Sequence, residues 1–191
     1  MYPEVFISAS LAVLLLAGAG ESALSRMGVS RREALFLLLS AAALSGFTLE
    51  IAEGVFVSPA CVLLSAAFAL LSLRRKGARI PALFAACAAS VLCAPIAAYL
   101  GPFAPYAAGL LSALTAFVPA VTPRGALAAC GLAPVLGYAA ACFLPGGVPL
   151  FELTHDCVSA QLISLAFLIL FASLSIIRTH VRKPSAGRTI P

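Results

Sequence analysis

Residues 55–99 read VFVSPACVLLSAAFALLSL, then RRKGAR, then IPALFAACAASVLCAPIAAY. Two apolar runs flank a loop that carries Arg74, Arg75, Lys76 and Arg79. An uncharged apolar run of about 18 residues or more is long enough to cross a hydrocarbon core as a helix. Lys and Arg resist transfer across a membrane, so a loop that carries them stays in the cytoplasm. This stretch therefore predicts two transmembrane helices together with their direction.

The same pattern extends to both ends of the chain. Apolar runs cover Val5–Gly20, Ala34–Leu49, Val55–Leu73, Ile80–Tyr99, Phe103–Val121, Ala126–Leu144 and Val158–Ile177. Arg26, Arg31 and Arg32 follow the first run, Arg124 follows the fifth, and Arg178, Arg182, Lys183 and Arg188 follow the last. The alternate segments, Tyr2–Glu4, Glu50–Gly54, Leu100–Pro102 and Pro145–Cys157, hold no Lys or Arg. All 12 cations thus fall on one side of a bilayer. The predicted fold is all-α: a polytopic membrane protein, a bundle of seven transmembrane helices with the N-terminus outside and the C-terminus cytoplasmic. Residues 1–177 form a single seven-helix membrane domain, and residues 178–191 form a basic cytoplasmic tail.

Composition agrees. The chain has 191 residues, 62% hydrophobic and 10% charged, where a soluble domain carries roughly 25% charge. Lipid must be the solvent for most of this surface. The net charge of +5 comes from cations at the ends of the runs, where they meet the lipid bilayer and its anionic lipid headgroups at the cytoplasmic face. That placement argues against nucleic acid as a partner. Ala17-Gly18-Ala19 resembles a signal-peptide cleavage site, but Glu4 and no cation precede the first run, and three arginines follow it.

Local chemistry marks several helix ends. Ser30 and Glu33 have the spacing of a capping box. Pro59 and Pro81 fall in first turns, where a missing N–H costs little. Pro123 and Gly125 predict a turn around Arg124, and Pro134 predicts a kink near the centre of its run. Tyr2, Tyr99 and Tyr106 map to the outer boundary, as an aromatic belt requires. Tyr138 lies deeper, so its hydroxyl needs a partner on another helix. Ala, Gly and Ser crowd the runs, for example at Ala41–Ala43 and at Gly109 with Ala113, and small residues let helix backbones approach closely in lipid.

No charged residue lies near the middle of any run, whereas many ion-coupled carriers keep one at depth. The deepest polar groups are Ser40, Ser45, Ser65, Ser90, Ser112, Thr115, Gln161 and Ser164. Lys76 and Lys183 both lie at the cytoplasmic side, which excludes a retinal Schiff base. No nucleophile–base pair marks an enzyme, and no motif calls for a cofactor. Cysteines occur at 61, 87, 93, 130, 142 and 157 without metal spacing. Cys142 and Cys157 flank one outer loop and are a candidate disulfide. Five carboxylates fall outside. Of these, Glu50 and Glu53 are spaced i, i+3, as are Glu152 and His155, with Asp156 adjacent. The candidate metal ligands are therefore Glu50, Glu53, Glu152, His155 and Asp156, an oxygen-rich set with one imidazole suited to a divalent cation. It requires the loops around 50–54 and 152–156 to be neighbours. The competing possibility is a solvated acidic face.

The stretch Leu24-Ser25-Arg26-Met27-Gly28-Val29-Ser30-Arg31-Arg32-Glu33-Ala34-Leu35 leads into an apolar run, then a break from Gly54 to Pro59, another run and a basic loop. This layout resembles an uncharacterised family of small polytopic prokaryotic membrane proteins, catalogued as domain of unknown function 1614. The family tends to carry a Gly-rich stretch ending in Phe-Asp where this chain has Thr154-His155-Asp156, and Asp156 is the residue that carries over. Phe151-Glu152-Leu153 replaces the glycines, and Leu136-Gly137-Tyr138 lacks an Asp that the family tends to have. The resemblance implies no activity. The chain reads as a multi-pass component of a prokaryotic cytoplasmic (inner) membrane that contacts lipid or other membrane proteins. The alternative is a permease or channel-like carrier for a small solute or cation.

Overall fold

A computed structural model describes residues 3–73, 79–118, 121–144 and 151–181. The side chains of residues 72–73, 79, 151–152 and 176–181 stand outside that description, as do Arg74, Arg75, Lys76 and the tail beyond 181. Among the described residues the chain is mostly helical. Helices are α1 (Pro3–Leu16), α2 (Glu21–Met27), α3 (Arg31–Leu44), α4 (Pro59–Leu73), α5 (Arg79–Tyr99), α6 (Ala104–Leu114), α7 (Pro123–Ala141) and α8 (His155–Val181). Short strands β1 (Leu49–Ala52), β2 (Val55–Val57) and β3 (Phe151–Leu153) complete it.

Every predicted apolar run contains a helix, but the lengths differ. Among the described residues three helices, within Ile80–Tyr99, Pro123–Ala141 and His155–Ser175, are long and apolar enough to cross a membrane. A fourth crossing is reached if α1 and α2 count as one span broken by a 101° bend. The seven-crossing count is thus not given by helix length. Three causes shorten the others. Gly18 and Gly20 adopt left-handed φ values of 85° and 79° after α1, so the chain turns and α2 occupies what reads in sequence as a loop. The C-terminal end of α3 and the N-terminal end of α4 give way to the β1–β2 hairpin. Helix α6 tightens into a 3-10 turn at Thr115–Phe117.

Helix ends follow their local chemistry. The Ser30 Oγ accepts from the Glu33 N–H at 3.2 Å, and the Ser30 N–H donates to Glu33 Oε2 at 2.8 Å, which completes the capping box. Thr122 caps α7 by accepting from the Gly125 N–H at 3.1 Å, so Pro123–Gly125 form a first helical turn rather than a loop. Two arginines lie at helix C-termini, where carbonyls lack partners. Arg31 donates to the Leu16 carbonyl at the end of α1. The Arg124 guanidinium packs on Gly28, the left-handed residue that ends α2.

Helix α7 is central, packing against α4, α5, α6 and α8. Glycines set contacts of α7 with α4 and α5 and of α6 with α8, and a Cβ at each would collide. At Gly131 it would lie 2.8 Å from the Phe68 ring, and at Gly109 2.8 Å from the Ala160 carbonyl oxygen. At Gly137 it would overlap Cys93. Where lipid removes the hydrophobic incentive for helices to associate, such close approach supplies the dispersion contact instead.

Candidate functional site at the sheet end and along the α4–α7–α8 seam

Two loops far apart in sequence form one sheet. Strands β1 and β2 pair antiparallel, closed by Gly54 at φ 74°. Strand β3 adds to β2 in parallel. The register sets Glu50 opposite Phe56, and Phe56 opposite Glu152. The neighbourhood that the metal set requires is therefore present in the backbone. Its described side chains do not converge. Glu50, Glu53 and Asp156 are exposed, while His155 turns inward. Among the described residues no three His, Cys, Asp or Glu side chains are placed to hold a metal ion. The Glu152 side chain stands outside those residues.

His155 meets Glu4. Its Nδ1 lies 2.5 Å from Glu4 Oε1, joining the first turn of α8 to the first turn of α1. Glu4 is fully buried and its Oε2 has no hydrogen-bond partner among the described residues, whereas the His155 side chain is 35% exposed. Nothing local in the sequence marks this pair, which spans 151 positions. A clue is present: Glu4 is a lone carboxylate at the head of an apolar run.

Beneath the sheet a polar seam runs inward between α4, α7 and α8. Cys157, Gln161 and Ser164 follow one another on one face of α8 at helical spacing. Cys61 and Ser65 do so on α4. The sulfurs of Cys61 and Cys157 are 3.4 Å apart. Cys142, the other candidate partner for Cys157, is half-buried with its Sγ 3.6 Å from the Tyr138 carbonyl; neither it nor Cys157 is in a disulfide, and the sulfur that faces Cys157 is that of Cys61. Gln161 Nε2 donates to Ser65 Oγ at 2.8 Å and to the Gly131 carbonyl at 2.9 Å. Ser164 Oγ lies 3.1 Å from the Cys130 carbonyl and 2.8 Å from that of Gln161. The Cys130 contact has a local cause. Pro134 has no N–H to give the carbonyl four residues back, so a serine from the next helix approaches it.

Five buried side-chain atoms have no partner among the described residues: Glu4 Oε2, Ser58 Oγ, Tyr138 Oη, Ser159 Oγ and Gln161 Oε1. The partner predicted for Tyr138 is therefore missing. Cavities lie elsewhere in the bundle. One of about 20 Å³ between α1, α3, α4 and α8 is lined by Leu15, Leu38, Leu64, Phe68 and other apolar side chains. Another, of about 160 Å³ and remote from the sheet, lies among Arg26, Met27, Phe117, Leu168, Phe171 and Ala172. Arg26 is exposed there and forms no ion pair among the described residues.

No known protein family, curated protein or solved structure matches the chain.

Proposed function

We propose that this chain is a non-enzymatic, multi-pass component of a prokaryotic cytoplasmic membrane that acts through contacts with lipid and other membrane proteins. It crosses seven times, N-terminus outside and C-terminus inside. The alternation of its cations supports that threading, and the resemblance to the domain of unknown function 1614 family supports the setting without adding an activity. Helices α3 and α4, with 14 and 15 residues, are about 21–23 Å long. They cross only where the bilayer thins or where the hairpin continues into the headgroup layer.

One observation carries the component reading: the helices meet so closely at Gly109, Gly131 and Gly137 that an added Cβ would collide with the facing helix. Outward the chain presents Phe6, Phe36, Phe84, Val91 and Leu92, all exposed and suited to lipid or a neighbouring helix. The Arg26 cavity supports a binding place for an anionic headgroup, with the acyl chain against Phe117 and Phe171.

The orphaned polar atoms in the outer half favour a second reading, a carrier for a small solute or divalent cation that enters past Glu50 and Glu152. Sealed vesicles holding the purified protein distinguish the two. A component leaves trapped divalent cations and small solutes as slow to escape as protein-free vesicles do. A saturable, protein-dependent flux overturns it, and loss of that flux on joint Glu50→Gln and Glu152→Gln substitution would establish the outer site.

A further inference from the structure

Cys61 and Cys157 are each the third residue of their helix, so both sulfurs lie in a first turn beneath the sheet. Both residues are buried, at 1% and 0% exposure. The two helices are fixed on either side of the pair. Toward the outer end, the Ser58 N–H donates to the Leu153 carbonyl at 2.9 Å and Val57 pairs with Leu153. One turn further in, Gln161 of α8 donates to Ser65 of α4. A free cysteine in an apolar interior is an inert space-filler. Two held sulfur to sulfur between such clamps are a preformed dithiol.

We propose that Cys61 and Cys157 are a reversible thiol–disulfide site that staples α4 to α8 when oxidised. A sulfur–sulfur bond of about 2.05 Å requires the two atoms to close by roughly 1.4 Å. The oxidant class is a small lipid-permeant disulfide, R–S–S–R. The thiolate of one cysteine attacks an R sulfur, forms a mixed disulfide and expels one RS⁻. The second thiolate attacks the protein-side sulfur of that mixed disulfide and expels the other. The two protein thiols lose two electrons and two protons in total, and the oxidant is recovered as two R–SH. Burial sets the rate, because the pair reacts only when the outer helix ends part. Exposed Cys87 reacts first. The site stands whatever the threading. If its end of the bundle faces away from the cytoplasm, the oxidised state persists there.

The test treats the purified full-length protein in detergent with dipyridyl disulfide and maps linked peptides under non-reducing conditions. The expected product joins Cys61 to Cys157. It forms in wild type and in Cys142→Ser, is lost in Cys61→Ser and Cys157→Ser, and is reversed by a dithiol reductant. Recovery of Cys157 linked to Cys142 overturns the site. So does recovery of Cys61 and Cys157 as separate pyridyl adducts, or as free thiols once the chain is unfolded. The wild-type map alone decides if either serine variant does not fold.

Discussion

Ser164 and Pro134 offer a test of how the seam is built. Ser164→Ala removes a hydroxyl whose single proton serves two carbonyls, that of Gln161 at 2.8 Å and that of Cys130 at 3.1 Å. The Cys130 carbonyl has no helical donor because residue 134 is proline. A hydrogen bond between helices in lipid contributes about 0.6 kcal/mol, rising to about 1.7. An unmet buried carbonyl costs about 1–3 kcal/mol. Since the proton is shared, Ser164→Ala should cost about 1 kcal/mol in the wild-type chain. In a Pro134→Ala background, the backbone N–H restored at that position reaches the Cys130 carbonyl along the helix. Ser164→Ala then loses only its weak local bond to Gln161, so the coupling between the two changes should be about 0.5–1 kcal/mol. The void left by shortening Pro134 is common to both arms of the cycle and cancels. Reversible unfolding in mixed micelles measures the four stabilities. An equal cost of Ser164→Ala in both backgrounds refutes the idea that this serine substitutes for the missing amide.

Three other substitutions probe separate parts of the fold. Gly109→Ala ordinarily gains about 1 kcal/mol in a helix, but here the new methyl meets the Ala160 carbonyl at 2.8 Å. Overpacking costs about 1–3 kcal/mol, so the variant should be no more stable than wild type in the same micelle assay, and a clear gain contradicts the contact. Glu4→Ala and His155→Ala should each speed amide exchange at Ser58, and the double variant should do no more than either alone; additive effects would show that the pair is not coupled. Arg26→Gln should weaken retention of phosphatidylglycerol in native mass spectrometry several-fold and leave phosphatidylethanolamine unchanged, whereas equal loss of both lipids removes the case for a headgroup contact.

The legible parts of the fold were those set by adjacent residues. Ser30 and Glu33 announced their capping box, Pro59 fell in a first turn, and each apolar run produced a helix. Hydropathy reports burial in lipid but not where a helix stops, so the bend after Leu16 and the shortening of α3 and α4 were not legible. Gly18 and Gly20 flagged a turn only in retrospect. The hairpin was readable in principle from Val55, Phe56 and Val57 behind the Glu53-Gly54 turn. The candidate site was legible as a region rather than as contacts. Glu50 and Glu152 do enter one sheet, but His155 chose Glu4, and Cys157 chose Cys61 across 96 positions. Pairings at that separation leave no periodic trace, because they depend on how whole helices pack. Tyr138 shows the opposite failure: polarity demanded a partner, and none is present among the described residues.

The proposed function rests on a threading that puts every Lys and Arg on the cytoplasmic face. Alkaline phosphatase and green fluorescent protein, each fused after Lys183 and again within the first outer segment before Val5, measure it directly. The proposed threading gives an inactive phosphatase and a fluorescent protein at the C-terminal position, with the reverse at the N-terminal one. An active phosphatase after Lys183, or the same reporter behaviour at both ends, contradicts it.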